Sequence, residues 1–281
     1  GAADFLRGAA LRRSGQSTIE GAMNLDQLAN RHGSDKGTRC KSAHGYTMVY
    51  DLLFQASRAR PLSILEIGLA IGGPEHGASA DREVSGAPSI AMWKSFFPEA
   101  KIFGFDISDF ARFEDERFTF VRGDAGNRAD LERIAALGPF DIVIDDASHA
   151  SYHQLLTLSV LMKAVKPGGL FVIEDLQWQP KVYETTLPKV PKAADLLLDY
   201  RANGRVTRDA ALLPEGCEAA LGEVHTLSIW RRDELERMRR FRLLREDGAA
   251  ARPTFRDRWR DLRYRLKGNP VKLAILEKRP E

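Results

Sequence analysis

Short apolar runs with a carboxylate at or beside their ends recur along this chain, and helical segments lie between most of them. Five runs have the composition of buried strands: residues 63–68, 101–107, 118–124, 140–145 and 170–173. Strands that alternate with helices at this interval are typical of a parallel sheet covered by helices on both faces. The sequence therefore predicts an α/β protein with a doubly wound, mostly parallel sheet.

The composition limits the classes of protein that the chain can belong to. Its 281 residues are 43% hydrophobic, enough to bury a sizeable core. No apolar run approaches the length of a membrane span, and the first twenty residues lack the apolar core of a secretory signal. Cys40 and Cys217 have no metal-ligand spacing, so we expect a reduced, cytosolic protein.

The charge is unevenly distributed although the net charge is only +3. Residues 231–281 hold 17 Lys and Arg against 9 Asp and Glu, so the basic character belongs to the C-terminal end. We predict four segments in chain order. They are a flexible arm (1–22), a helical cap (23–60), the sheet domain with the site (61–232) and a basic helical extension (233–281). Within the extension, residues 272–276 are predicted as either a last strand or an oligomer contact.

Ionisable side chains gather at the ends of two neighbouring runs. They are Asp145, Asp146, His149, His153, Glu174 and Asp175. Buried carboxylates and imidazoles need partners, so these residues are difficult to explain as core. The carboxyl ends of strands are where open α/β sheets bind their ligands. The pattern predicts a functional site at this edge.

The first predicted strand leads into a glycine-rich loop at Gly68, and the second ends at Asp106. This pattern fits a nicotinamide dinucleotide or S-adenosylmethionine, because both offer a ribose diol to a carboxylate. The dinucleotide fingerprint needs closely spaced glycines that open a helix, yet the next helix begins near Ser89, which is expected to cap it. A ligand without a pyrophosphate is therefore favoured.

In that interpretation Asp106 accepts the ribose diol and Asp124 receives the adenine amino group. Glu66 lies at the methionine end of the pocket, bonded to backbone amides or acting on the ammonium side. Each acid has a simpler alternative as a helix cap or a solvated loop residue.

Seven stretches together resemble a known family. They are Gly33-Ser34-Asp35-Lys36-Gly37, His44-x-Tyr46-Thr47, Leu65-Glu66-Ile67-Gly68, Met92-Trp93-Lys94, Gly104-x-Asp106, Asp145-Asp146-x-Ser148-His149 and Glu174-Asp175-Leu176. The combination resembles the metal-dependent sugar O-methyltransferases of the macrocin and mycinamicin type over about residues 30–178. The chain departs from that pattern in the long segment 74–88 and beyond Trp178.

The resemblance implies a class I methyltransferase fold with a seven-stranded sheet, S-adenosylmethionine as the methyl donor, and sugar hydroxyls that chelate Mg²⁺ as acceptors. It implies Asp146, Glu174 and Asp175 as metal ligands and His149 as the general base. Asp145 would then face the cofactor. Lys36, His44 and Tyr46 would lie near the cofactor or substrate, in loops that close the site.

The proposed chemistry is reasonable for a sugar hydroxyl, which is a poor nucleophile at neutral pH. A divalent cation bound by carboxylates stabilises the developing alkoxide, and a nearby histidine accepts the proton. His149 could instead be a neighbour of a helix N-cap. With His153 it could form a zinc pair on one helix face, although the oxygen-rich surroundings favour Mg²⁺. His32, His76 and His225 receive no role.

Three other functions stay open at this point. One is methylation of a small catechol-like diol, another is a nucleic-acid methyltransferase or binding module that uses the basic tail, and the third is a fold that binds without catalysis. Phe255, Trp259 and Tyr264 recur at spacings of four and five, which suits a helix packed on a neighbour better than a stacking platform for nucleic acid. We therefore predict a small-molecule acceptor and a homo-oligomer, with no membrane partner.

Overall fold

A computed structural model describes residues 20–40, 42–247 and 270–280, together with residues 255, 259 and 262. Seven strands form one sheet: β1 (Ser63–Ile67), β2 (Lys101–Asp106), β3 (Phe118–Arg122), β4 (Phe140–Asp145), β5 (Val165–Ile173), β6 (Val224–Arg231) and β7 (Val271–Lys278). Their order is β3-β2-β1-β4-β5-β7-β6. Most of the predicted N-terminal arm lies outside the described residues.

Strands β1 to β5 pair in parallel, and β7 pairs antiparallel with both β5 and β6. This arrangement confirms the predicted doubly wound, mostly parallel sheet of seven strands. The strand order reverses between β1 and β4, which is where open α/β sheets leave a crevice for ligands.

Helices flank the sheet on both faces: α1 (Leu25–His32), α2 (Thr47–Phe54), α3 (Pro88–Phe96), α4 (Arg128–Ala135), α5 (Ser151–Leu161), α6 (Lys181–Glu184), α7 (Ala193–Asn203), α8 (Cys217–Gly222) and α9 (Arg232–Asp247). Successive strand residues point to opposite faces. In β4, Val143 joins the apolar core on one face while Ile142 and Ile144 join the core on the other. Because both faces are covered, the central strands are apolar over most of their length. Within the described residues, no helix is both long and apolar enough to cross a bilayer.

Three local predictions differ from the structure. Ser89 is the second residue of α3 rather than its cap; Pro88 opens the helix and no side chain caps it. Strand β5 begins at Val165, ahead of the apolar run predicted at residues 170–173, and its pairing with β4 shifts register over this added part. Residues 272–276 belong to β7 inside the sheet, so the predicted boundary at residue 232 separates this strand from its own sheet.

The N-terminal cap is held together by a buried carboxylate. Asp26 on α1 is fully buried and accepts hydrogen bonds from the Thr38 hydroxyl at 2.8 Å and the Thr47 hydroxyl at 2.7 Å. Gly33, in the left-handed region at φ 76°, ends α1 and starts the loop to α2. One carboxylate thus joins α1, the loop and α2.

The C-terminal helix α9 fastens the same loop from the other side. Arg239 donates to the Thr38 carbonyl at 2.8 Å, and Arg39 pairs with Asp247 at 2.8 Å and Glu246 at 3.0 Å. Farther along the basic extension, residues 255 and 259 are helical and exposed, and Tyr264 lies outside the described residues.

Gly68 allows three strand ends to meet at the site. Its φ is +82°, and a Cβ atom there would lie 2.2 Å from the Asp146 carbonyl oxygen. The Gly68 amide donates to the Phe105 carbonyl at 2.8 Å, and the Asp146 amide donates to the Ile67 carbonyl at 2.8 Å. Only glycine satisfies both the backbone conformation and this close approach.

We expect Gly68→Ala to lower the free energy of unfolding by about 3 kcal/mol, because left-handed strain and overpacking add together. Urea unfolding monitored by circular dichroism measures the change. Gly77→Ala is the matched control, since Gly77 has φ +81° but open space around the missing Cβ. The control should lose only about 1 kcal/mol. Equal losses for the two variants would contradict the close approach as the constraint.

Candidate active site

A cavity of about 670 Å³ opens at the carboxyl ends of the central strands. Its lining includes most of the predicted site residues: Lys36, His44, Gly68, Ser89, Asp106, Asp124, Asp146, His149 and Asp175. Glu66, Asp145 and Glu174 do not line it, and Tyr46 lies behind it. The structure therefore brings most of the predicted residues to one cavity and places a minority in the layer below.

The cofactor end contains Asp106 and Asp124. Asp106 accepts hydrogen bonds from the Leu69 amide at 2.8 Å and the Ser108 amide at 2.7 Å. Burial raises the pKa of Asp106, and these two amides oppose the rise. Asp124 is exposed at the cavity wall, where it accepts a hydrogen bond from the Gly126 amide at 2.7 Å. The Ser89 side chain is buried and lines the cavity.

Asp145 does not face the cofactor end, which corrects the sequence prediction. It is buried and accepts hydrogen bonds from the Thr157 hydroxyl on α5 and, at 3.3 Å, from the Ala147 amide. The cause is strand alternation: Asp145 and Asp146 are adjacent, so only one of them can point into the cavity. Burial raises the pKa of Asp145, with Thr157 opposing the rise.

Glu66 also differs from expectation, because it bonds to side chains rather than to backbone amides. It is fully buried below the cavity, with Oε1 3.2 Å from the Lys36 ammonium. Oε2 accepts a hydrogen bond from the Trp93 indole at 3.2 Å. Burial raises the pKa of Glu66, and the Lys36 charge opposes the rise.

Asp146, His149 and Asp175 form the group with metal-ligand geometry among the described residues. One ligand atom from each lies within 4.8 Å of the other two. The His149 Nδ1 atom is buried without a hydrogen-bond partner within the described chain. Two carboxylates and an imidazole that face one cavity fit a divalent cation.

Glu174, the third predicted ligand, is occupied by protein groups. Its Oε2 accepts from the Lys36 ammonium at 2.8 Å and its Oε1 accepts from the Tyr50 hydroxyl at 2.5 Å. Burial raises the pKa of Glu174 well above its ordinary value, and the Asp146 charge adds to the rise. Glu174 thus lies beside Asp146, and both of its carboxylate oxygens already accept hydrogen bonds from Lys36 and Tyr50.

Lys36 is 1% exposed and is surrounded by carboxylates. Its Nζ lies 2.5 Å from Asp146 Oδ2, in addition to its contacts with Glu174 and Glu66. Burial alone would lower its pKa, but the three carboxylates raise it well above the ordinary value. The pKa of Asp146 is raised by burial, and Lys36 opposes this rise. Lys36 is therefore a charged member of the site.

Two tyrosines one helical turn apart hold the adjacent acids. Tyr46 donates to Asp175 Oδ1 at 2.8 Å and accepts from the Asp175 amide at 3.1 Å. The Tyr50 hydroxyl donates one hydrogen bond to Glu174 Oε1. His44 Nδ1 lies 3.1 Å from Asp175 Oδ1. Burial would raise the pKa of Asp175, but the His44 contact holds it well below its ordinary range. Tyr50 also belongs to the residues that carry the family resemblance, and its i, i+4 spacing puts it on the same helix face as Tyr46.

His149 and Asp175 both have left-handed backbones, with φ values of 60° and 51°. Such conformations cost energy and persist where the surroundings enforce them. Gln179 donates to the His149 carbonyl at 2.8 Å, and the Trp178 amide donates to the Asp175 carbonyl at 3.0 Å. The segment after β5 thus holds both strained residues in place.

Trp178 forms an aromatic wall beside His149. Its ring centroid lies 5.3 Å from that of His149 and 5.0 Å from that of His76, with which it stacks. His76 comes from the long loop between β1 and α3 and lines the cavity, although the sequence analysis assigned it no role. His153 is buried, and its Nδ1 lies 2.6 Å from the Ser148 hydroxyl, so it supports the loop that carries His149.

Comparisons with known proteins point to one group of enzymes. The chain is 41% identical over 154 residues to an 8-demethyl-8-alpha-L-rhamnosyl tetracenomycin-C 2'-O-methyltransferase of Streptomyces olivaceus, covering 54% of this chain and 38% of the relative. It is 39% identical over 154 residues to the mycinamicin VI 2''-O-methyltransferase of Micromonospora griseorubida, covering 54% and 36%. No family model matches the chain.

Solved structures agree with the sequence relatives. The MycE methyltransferase of the mycinamycin pathway, in complex with Mg, S-adenosylhomocysteine and mycinamycin VI, superposes with a TM-score of 0.58 at 26% identity. The match covers 92% of this chain and 55% of that one. The chain spans less than two-fifths of the curated relatives it matches. It has the class I methyltransferase fold and is related, over about half of its length, to sugar O-methyltransferases of antibiotic pathways.

Proposed function

We propose that this chain transfers the methyl group of S-adenosylmethionine to a hydroxyl of a sugar in a glycosylated natural product, with Mg²⁺ as cofactor. The observation that carries the proposal is the placement of Asp146, His149 and Asp175 on the same cavity as Gly68 and Asp106. A proton acceptor and carboxylates for a cation thus lie beside a pocket suited to the methyl donor. The sugar O-methyltransferases among the relatives and the Mg-containing MycE complex support this function.

The cofactor end binds the adenosine part of the donor. Asp106 receives the ribose hydroxyls, and Asp124 at the cavity wall receives the adenine amino group. Gly68 and Ser89 line the space between them and the acidic edge. Gly68 has no Cβ atom, and one at this position would collide with the Asp146 carbonyl at the edge of this space.

Asp146 and Asp175 hold the metal ion, with Glu174 as the third carboxylate beside them. Oxygen ligands of this type suit Mg²⁺. When bound, the ion supplies positive charge that stabilises a developing alkoxide. Tyr46 and Tyr50 keep Asp175 and Glu174 oriented toward this edge through their buried hydroxyls.

His149 accepts the proton from the acceptor hydroxyl. Its ring lines the cavity and stands beside Trp178. A positioned base of this kind contributes roughly 10²- to 10⁴-fold to the rate. A homo-oligomeric assembly remains a prediction from the sequence.

Asp106→Ala should weaken S-adenosylhomocysteine binding by about 10- to 100-fold, because hydrogen bonds to a charged group are worth roughly 1.5–3 kcal/mol. Isothermal titration calorimetry measures the affinity. Asp109→Ala is the control, since Asp109 lies three residues later, is exposed and does not line the cavity. An unchanged affinity in the Asp106 variant would contradict the ribose assignment.

Incubation with S-adenosylmethionine, Mg²⁺ and a panel of acceptors tests the function as a whole. We expect a gain of one methyl group, detected by mass spectrometry, on rhamnosylated or macrolide glycosides and not on catechol. Excess EDTA should abolish the gain and added Mg²⁺ should restore it, because the carboxylates alone cannot stabilise an alkoxide. Methylation of catechol alone would favour the diol alternative, and activity in EDTA would refute metal dependence.

His149→Asn should lower kcat by about 10²- to 10⁴-fold while the affinity for S-adenosylhomocysteine stays within about threefold. Asparagine tolerates the left-handed backbone, so the variant removes the base without forcing a new loop conformation. His225→Asn on the exposed edge strand is the control. Parallel losses of turnover and cofactor affinity would indicate a structural role for His149.

A further inference from the structure

Glu66, Asp146 and Glu174, here called the acidic cluster, meet at one point although they come from three different strand ends. Lys36 Nζ lies 3.2, 2.5 and 2.8 Å from their nearest oxygens. Glu66 and Glu174 are as buried as the lysine itself, and the Asp146 side chain is 18% exposed. The acidic cluster shares only Asp146 with the group of possible metal ligands, Asp146, His149 and Asp175.

Lys36 is held in this position by its backbone as well as by its charge. The Thr47 amide donates to the Lys36 carbonyl at 3.0 Å, and the Gly45 amide donates to the Gly37 carbonyl at 2.9 Å. The Asp26 hydrogen bonds described above fix the same loop. The ammonium is therefore delivered to the acidic cluster by folding of the cap and does not depend on a dissolved ion.

We propose that Lys36 is a built-in cation of the site: it offsets part of the negative charge of the acidic cluster before any metal binds, and it limits how tightly the divalent metal binds. The first half stands on the geometry alone, and the second half rests on the proposed function. Buried carboxylates that lose their only counter-charge are strongly destabilising. Two cations that share the Asp146 carboxylate repel each other, so each weakens the hold of that carboxylate on the other.

The two effects of removing the ammonium have opposite signs, and a packing role would not produce this combination. Without metal, the protein should be less stable, because three buried carboxylates remain near one another. With metal, the same carboxylates should bind the ion more tightly, by at least about tenfold, because an ammonium and a divalent ion roughly 5 Å apart repel each other by that much even at the dielectric constant of water. A merely structural lysine would lower both stability and metal affinity.

The experiment compares the full chain with Lys36→Met, which keeps the unbranched length and removes the charge. Thermal unfolding is measured in EDTA and with Mn²⁺, and Mn²⁺ affinity is measured by electron paramagnetic resonance without donor or acceptor. We expect a Tm lower by several degrees in EDTA, recovery of most of this loss with Mn²⁺, and about tenfold tighter Mn²⁺ binding. An unchanged Tm in EDTA, or weaker or equal Mn²⁺ binding, would overturn the proposal.

Lys166→Met is the matched control. Lys166 forms an ion pair with Asp141 at 2.7 Å, and neither residue lines the cavity. It should leave Mn²⁺ affinity unchanged. The double variant Lys36→Met with Glu66→Gln removes one buried charge together with the ammonium, so it should be more stable in EDTA than Lys36→Met alone. A less stable double variant would contradict charge compensation.

These measurements separate the proposal from the function on which its second half rests. If the unaltered chain binds no Mn²⁺, the proposed metal dependence fails, while the Tm values in EDTA still decide whether Lys36 offsets the charge of the acidic cluster. Failure of both Lys36 variants to fold even with Mn²⁺ would overturn the proposal, since the metal should then supply the missing charge.

Discussion

The ammonium of Lys36, enclosed by Glu66, Asp146 and Glu174, imposes a strict requirement on the rest of the fold. Removing an ion from water costs several kcal/mol, and its partners repay that cost only at short, well-oriented distances. The cap loop and the ends of β1, β4 and β5 must therefore be held at positions that keep all three contacts short. Gly68 permits this arrangement, because any side chain there would push β1 away from Asp146.

Contacts around the site also hold two residues with strained backbones in place. His149 and Asp175 have left-handed backbones at adjacent strand ends, and neither is a glycine. Tyr46 holds Asp175 through two hydrogen bonds, and Gln179 holds the His149 carbonyl. The cap and the segment after β5 thus fix the direction of the two side chains that face the cavity. A relaxed backbone at either position would turn its side chain elsewhere.

Much of the fold was accessible from the sequence because apolar runs and helical periodicity are local properties. The sheet edge was also predictable, since carboxylates at strand ends converge in any parallel sheet. The side-chain directions were less accessible. Asp145 and Asp146 are adjacent residues of the same type, so the sequence does not distinguish them. Side-chain alternation at the end of β4 buries Asp145 and directs Asp146 into the cavity. The partner of Glu66 could not be found locally, because Lys36 is thirty residues away in a polar loop.

The least predictable part of the site comes from the C-terminal half of the chain. Lys272 on β7 donates to the His44 carbonyl at 3.2 Å and lies 4.7 Å above the Tyr46 ring. Strand β7 inserts between β5 and β6 in the antiparallel direction, so this contact depends on the last strand of the sheet. Arg239 on α9 holds the neighbouring Thr38 carbonyl. The loop that carries Lys36 is thus clamped between the acidic strand ends and two elements more than 190 residues later in the chain. Because these contacts span most of the sequence, the position of Lys36 depends on the complete sheet.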